Sequence, residues 1–128
     1  MIIDSSAIIA ILCGEPEAKF FIEKIVSDPV RLISAANALE AAMVLTCRKG
    51  DAGKKNFDEI LNTAKIKIVS VDDKQYKNAY DAWRKYGKGR HPAKLNFGDC
   101  FAYALAQDTQ QPLLFKGNDF NKTDLKVA

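Results

Sequence analysis

The chain has 128 residues, enough for one domain with a sizeable core, and its 48% hydrophobic and 27% charged residues describe an ordinary globular protein. No apolar run approaches the roughly 20 residues of a membrane span. An apolar strand beginning almost at Met1 leaves no room for a leader, so the expected compartment is the cytoplasm. A net charge of +3 is compatible with a polyanionic partner without demanding one. The three cysteines, Cys13, Cys47 and Cys100, are scattered in apolar helical contexts and fit reduced, buried thiols. His91 is the one histidine, which argues against zinc and against a histidine-based nucleophile.

Met1-Ile2-Ile3-Asp4 reads as a buried strand ending at Asp4 and turning at once into a helix over Ser5 to Leu12. Gly14 and Pro16 punctuate, and Pro16 opens a second helix with Phe20, Phe21, Ile22, Ile25 and Val26 as its apolar face. Asp28-Pro29 breaks it. Val30 to Ser34 is a short strand, followed by a helix to about Lys49 that Gly50 closes. A helix over Ala52 to Ala64 turns Phe57, Ile60 and Leu61 inward. Ile66 to Val71 is a strand, and Asp72 or Asp73 caps a helix to Tyr86. Lys88 to Leu95 is a basic loop. A helix spans about Gly98 to Thr109, Leu113 to Lys116 is a strand, Gly117-Asn118-Asp119 is a turn, and Leu125 to Val127 is a short edge strand. This order implies βαβ crossovers and a mainly parallel α/β sheet with helices on both faces.

Four acids share one type of position. Asp4 ends the first strand. Glu40 lies early in the helix after the second. Asp99 opens the helix entered through Asn96-Phe97-Gly98. Asp119 follows the strand over Leu113 to Lys116. In a parallel sheet all four come to the carboxyl edge, where open α/β sheets bind ligands. Each has a bland alternative: an N-cap for Asp4, capping boxes for Asn37–Glu40 and Asn96–Asp99, a turn former for Asp119. Those alternatives leave unexplained why four acids share an edge with no base placed to neutralise them. Like charges at ~4 Å repel by roughly 4 kcal/mol per pair at an effective dielectric near 20. Such a cluster needs protons or a cation. Oxygen ligands without His or Cys point to Mg²⁺ or Mn²⁺ and to metal-assisted hydrolysis of a phosphodiester, with one acid available as general base.

The segments Ile-Ile-Asp4-Ser-Ser-Ala, Ser-Ala-Ala-Asn-Ala-Leu-Glu40, Leu-Asn-Phe-Gly-Asp99-Cys-Phe-Ala-Tyr-Ala and Leu-Leu-Phe-Lys-Gly-Asn-Asp119-Phe resemble the PIN domain. More narrowly they resemble the VapC-type toxins of bacterial toxin–antitoxin pairs, over the whole of residues 1–128. The resemblance implies a three-layer α/β/α sandwich with a five-stranded sheet of order 3-2-1-4-5. It implies Mg²⁺- or Mn²⁺-dependent endoribonuclease activity at Asp4, Glu40, Asp99 and Asp119. Asp4 and Asp99 would be direct metal ligands, with Glu40 and Asp119 completing the site or binding a second ion. Ser6 matches a small hydroxyl position that supports the first acid. The resemblance further implies a VapB-like antitoxin partner and a homodimer.

Among the basic residues before Asp99, Arg90 and Lys94 are the candidates for holding RNA phosphates, against the alternative of a solvated helix end. Tyr76, Tyr80 and Trp83 form one helical stripe, read as core or a subunit contact in preference to a base-stacking platform. Two other functions compete. One is a receiver-type phosphoacceptor domain with Asp72 as acceptor and Lys116 as its late lysine. The other is a nonenzymatic interaction module whose acids merely cap helices.

Overall fold

Ile2 and Ile3 are both wholly buried and face opposite ways, as neighbours on a strand must. The computed structural model describes all 128 residues and places these two at its centre. The elements run β1 (Ile2–Ile3), α1 (Ser5–Leu12), α2 (Ala18–Ser27), β2 (Leu32–Ser34), α3 (Ala35–Lys49), α4 (Asp51–Thr63), β3 (Lys67–Val69), α5 (Asp73–Tyr86), α6 (Phe97–Thr109) and β4 (Leu113–Leu114), then a 3₁₀ turn at Phe120–Lys122. The strands are all parallel in the order β3-β2-β1-β4. Ile2 and Leu113 pack with α5 and α6 on one face. Ile3, Ile33 and Leu114 pack with α1 to α4 on the other. The result is the expected three layers.

The expected fifth strand is reduced to a bridge. Leu113 pairs in parallel with Val127 alone, through Leu113 N–H to Lys126 O at 2.9 Å and Ala128 N–H to Leu113 O at 2.9 Å. The chain spends the intervening residues elsewhere. Phe120 is buried against Phe115, their rings 5.0 Å apart, and the Tyr103 hydroxyl holds Asp124 at 2.6 Å. Pairing can resume only at the very end.

Other boundaries shift for local reasons. Helix α2 begins at Ala18, two residues beyond Pro16, and buries only Phe21 and Ile25; Phe20, Ile22 and Val26 of its expected apolar face are exposed. Asp72, not Asp73, caps α5, its Oδ1 accepting from Gln75 N–H at 2.8 Å. Of the three cysteines only Cys100 is buried; Cys47 is exposed and Cys13 half-buried. The stripe Tyr76, Tyr80 and Trp83 is not core, since all three rings are exposed. No helix is long and apolar enough to cross a membrane.

Candidate active site

The backbone first fixes Asp4. Its N–H donates to Leu114 O at 2.9 Å, which completes the ladder between β1 and β4 at the sheet's carboxyl edge. Asp4 is also the N-cap of α1: Ser6 N–H and Ser6 Oγ both donate to its Oδ2, at 3.1 and 2.5 Å. Ser6 Oγ in turn accepts from Lys116 N–H at 3.0 Å. The capping role expected for Asp4 is therefore real, but it uses one oxygen. Oδ1 is buried with no hydrogen-bond partner, in a residue only 4% exposed. Burial pushes this carboxyl's pKa up; the bonds from Ser6 pull it down without cancelling that, and Glu40 adds to the rise.

Glu40 does not close a capping box. Ser34 is the N-cap of α3, and Asn37, the expected cap, lies inside the helix and is wholly buried. The Glu40 carboxylate turns instead toward α1 and α6. Ser5 Oγ donates to Glu40 Oε1 at 2.5 Å, and the carboxylate lies against Gly98.

Asp99 does form its capping box: Asp99 N–H donates to Asn96 Oδ1 at 2.9 Å and Asn96 N–H to Asp99 Oδ2 at 3.0 Å. Burial nevertheless pushes Asp99 to about 7, and the charges of Asp4, Asp119 and Glu40 all contribute to that rise. Asp119 is exposed at the head of the 3₁₀ turn, its side chain making no capping bond. The four acids thus share one electrostatic field. No ion pair in the protein involves any of them.

They do not form a closed cage, for no group of three His, Cys, Asp or Glu side chains is drawn together closely enough to ligate a metal. The two observations agree physically. Coulomb coupling acts over longer distances than ligation, and Glu40 and Asp99 are each restrained by a local partner. The donor set is all carboxylate oxygen, the negative charge is uncompensated, and a buried oxygen of Asp4 is unpartnered. This fits a hard divalent cation such as Mg²⁺ or Mn²⁺.

The basic loop leads into the first turn of α6, which carries Asp99, and is closed by a bridge between Gly87 and Leu95. Arg90 stacks its guanidinium over the Trp83 ring at 4.4 Å, and exposed Lys94 adopts a left-handed backbone with φ 54°. His91 turns inward, edge-on to Tyr86 at 5.0 Å, its Nδ1 accepting from Ala93 N–H at 3.0 Å. Between α5 and α6 an open apolar cavity of about 520 Å³ is lined by Tyr76, Tyr80, Trp83, Phe97 and Phe101.

The receiver-type alternative gains no support. Asp72 follows β3 at the edge of the sheet and caps α5, while Lys116 Nζ is paired with Glu15 and Glu17. Sequence reasoning missed the parts of Ser5 and Gly98 and placed Asn37 as a cap. The N-x-x-E spacing was visible, but which end of it capped a helix depended on where β2 stopped.

The PIN domain family model matches residues 1–126. Ribonuclease VapC of Mycolicibacterium smegmatis is 49% identical, covering 100% of this chain and 99% of its own. Ribonuclease VapC30 of Mycobacterium tuberculosis is 47% identical, covering 100% and 98%. Among solved structures, VapC20 of Mycobacterium tuberculosis, described as a toxin that cleaves the sarcin–ricin loop, superposes with a TM-score of 0.80 at 17% identity over 99% of this chain and 97% of its own. A toxin–antitoxin complex from Klebsiella pneumoniae gives 0.75 at 21% identity over 99% and 95%. At those identities the structural likeness speaks to the fold.

Proposed function

This chain belongs to the PIN domain family, in its VapC ribonuclease branch, and from that premise we propose that it is an endoribonuclease toxin that hydrolyses RNA phosphodiester bonds with Mg²⁺ or Mn²⁺ as cofactor. The observation that carries this reading is the unpartnered, buried Oδ1 of Asp4 among three further acids that have no basic partner.

Asp4 and Asp99 hold the cation, and Glu40 and Asp119 complete the site or take a second ion. When bound, the cation offsets phosphate charge and acidifies water. The chain's own residues do the rest. Ser6 locks Asp4 Oδ2 so that Oδ1 keeps one direction. Ser5 holds Glu40 Oε1, which leaves Oε2 as the oxygen this acid contributes to the site. Arg90 and Lys94 hold the RNA backbone. Residues 1–128 act as one PIN-like domain in the cytoplasm, as a homodimer kept inactive by a VapB-like antitoxin.

The test is cleavage of RNA by purified, antitoxin-free protein with Mg²⁺ or Mn²⁺, beside Asp4→Asn and Asp99→Asn. Both substitutions abolish cleavage if the reading is right; activity that survives both would overturn it. Binding of Mn²⁺, read as a rise in Tm, separates this enzyme from an interaction module.

A further inference from the structure

Gly98 is the second residue of α6, directly before Asp99, and no left-handed backbone conformation requires a glycine there. What requires it is space. A Cβ built at Gly98 would lie 2.6 Å from Glu40 Oε2, 2.9 Å from Oε1 and 3.0 Å from Cδ. The Glu40 carboxylate therefore occupies the volume that any other residue would fill. The first turn of α6 cannot simply back away. Wholly buried Asn37, three residues before Glu40 on the same face of α3, donates through Nδ2 to Gly98 O at 2.9 Å. One helix face thus both clasps the Gly98 peptide and lays a carboxylate on it.

We propose that Gly98, clasped by Asn37, is a positioning residue that sets where Glu40 stands relative to Asp99. This rests on the nuclease reading above, and it assigns a role to a residue that has no side chain to offer metal or RNA. The atoms in the way of a new methyl are the far end of a flexible side chain, held there by Ser5, and not backbone. A methyl at position 98 is accordingly accommodated by moving Glu40, with the fold intact. Alanine also suits a helix better than glycine does.

The experiment compares wild type with Gly98→Ala by thermal unfolding, by Mn²⁺ titration calorimetry and by RNA cleavage. The expected result is an unchanged or higher Tm, Mn²⁺ affinity weakened about 10-fold and cleavage lowered about 10- to 100-fold, the range for displaced supports of ligands. In a Glu40→Ala background, Gly98→Ala should cause no further loss of Mn²⁺ affinity, because the group it displaces is gone. Wild-type affinity and cleavage in Gly98→Ala would overturn the proposal. So would an equal loss in the Glu40→Ala background, or a collapse of Tm showing that the fold yields and not the carboxylate. Wild-type protein that neither binds Mn²⁺ nor cuts RNA would overturn the nuclease reading itself. Wild type that does both, beside an indifferent Gly98→Ala, would sink the positioning role alone.

Discussion

Ser6 Oγ donates to Asp4 Oδ2 at 2.5 Å while accepting from the Lys116 backbone N–H at 3.0 Å, so one hydroxyl both aims the acid and ties the ends of β1 and β4 together. Ser6→Ala removes both bonds and leaves the Lys116 N–H to find water. We expect a loss of about 1–2 kcal/mol in stability, from the magnitude of such bonds, measured by urea unfolding. Mn²⁺ affinity should fall, by up to about 10-fold, because Asp4 Oδ2 keeps only the longer of its two bonds, that from the Ser6 N–H. A variant that loses stability but binds Mn²⁺ as wild type does would restrict Ser6 to a structural part.

The metal-free protein should lose stability as the solution becomes less acidic. Burial, and the charges of Asp4, Asp119 and Glu40, push Asp99 to about 7, against 3.8 for an ordinary aspartate. Between those two values the folded chain holds a proton that the unfolded chain has released. Stability then falls as pH rises, and the decline ends above the folded value. The raised Asp4 carboxyl acts in the same direction. Urea midpoints measured in chelator should drop from pH 5 to pH 8. Asp99→Asn should flatten that decline, and Mn²⁺ should reverse it at pH 8. A flat profile in the wild-type protein would show that neither burial nor mutual repulsion raises these acids.

These electrostatics also show how far the sequence could be read. The four acids, their shared edge and the parallel sheet followed from strand ends and helix starts, because Asp4, Asp99 and Asp119 each stand beside a turn signal. Side-chain direction did not follow. Asn37–Glu40 and Asn96–Asp99 have identical spacing, yet only the second is a capping box. The difference arises because β2 runs directly into α3 at Ser34, which carries Asn37 into the core. For the stripe on α5, the core alternative failed for a related reason. Tyr76, Tyr80 and Trp83 have the periodicity of a buried face, but the apolar residues of α5 that are buried with α6 are Ala79, Ala82 and Tyr86. Periodicity reports that a face is apolar, not what lies opposite it.

The end of the chain is held by one polar knot, whose loss should be felt locally. Tyr103 OH donates to Asp124 Oδ1 at 2.6 Å and accepts from Gln107 Nε2 at 3.0 Å. Burial and the adjoining Asp124 charge hold the phenol well above its usual range. Tyr103→Phe should lower stability by only about 1 kcal/mol, since Asp124 is exposed and water replaces the hydroxyl. Faster hydrogen exchange at Leu113 and Ala128, whose N–H groups form the terminal bridge, should accompany it. Exchange that stays as slow as in wild type would mean that apolar packing of Phe120 alone secures this segment.

Arg90 offers a test of RNA contact that is separable from chemistry. Its guanidinium lies over the Trp83 ring at 4.4 Å, a contact that fixes the side chain while leaving its charge available to a phosphate. Lys94 stands four residues on in the same exposed loop, and neither residue is paired with an acid. In an Asp4→Asn background, which should bind RNA without cutting it, single-stranded RNA affinity can be followed by fluorescence anisotropy across a salt series. On a single strand each contact to a phosphate adds about 0.7 to the slope of log affinity against log salt, so Arg90→Ala should reduce that slope by about 0.7 and Lys94→Ala by a similar amount. In the otherwise wild-type chain, Mn²⁺ affinity should not change on either substitution, because neither side chain reaches the acids. Equal slopes in all three proteins would remove the loop from the RNA path and leave Arg90 as a structural partner of Trp83.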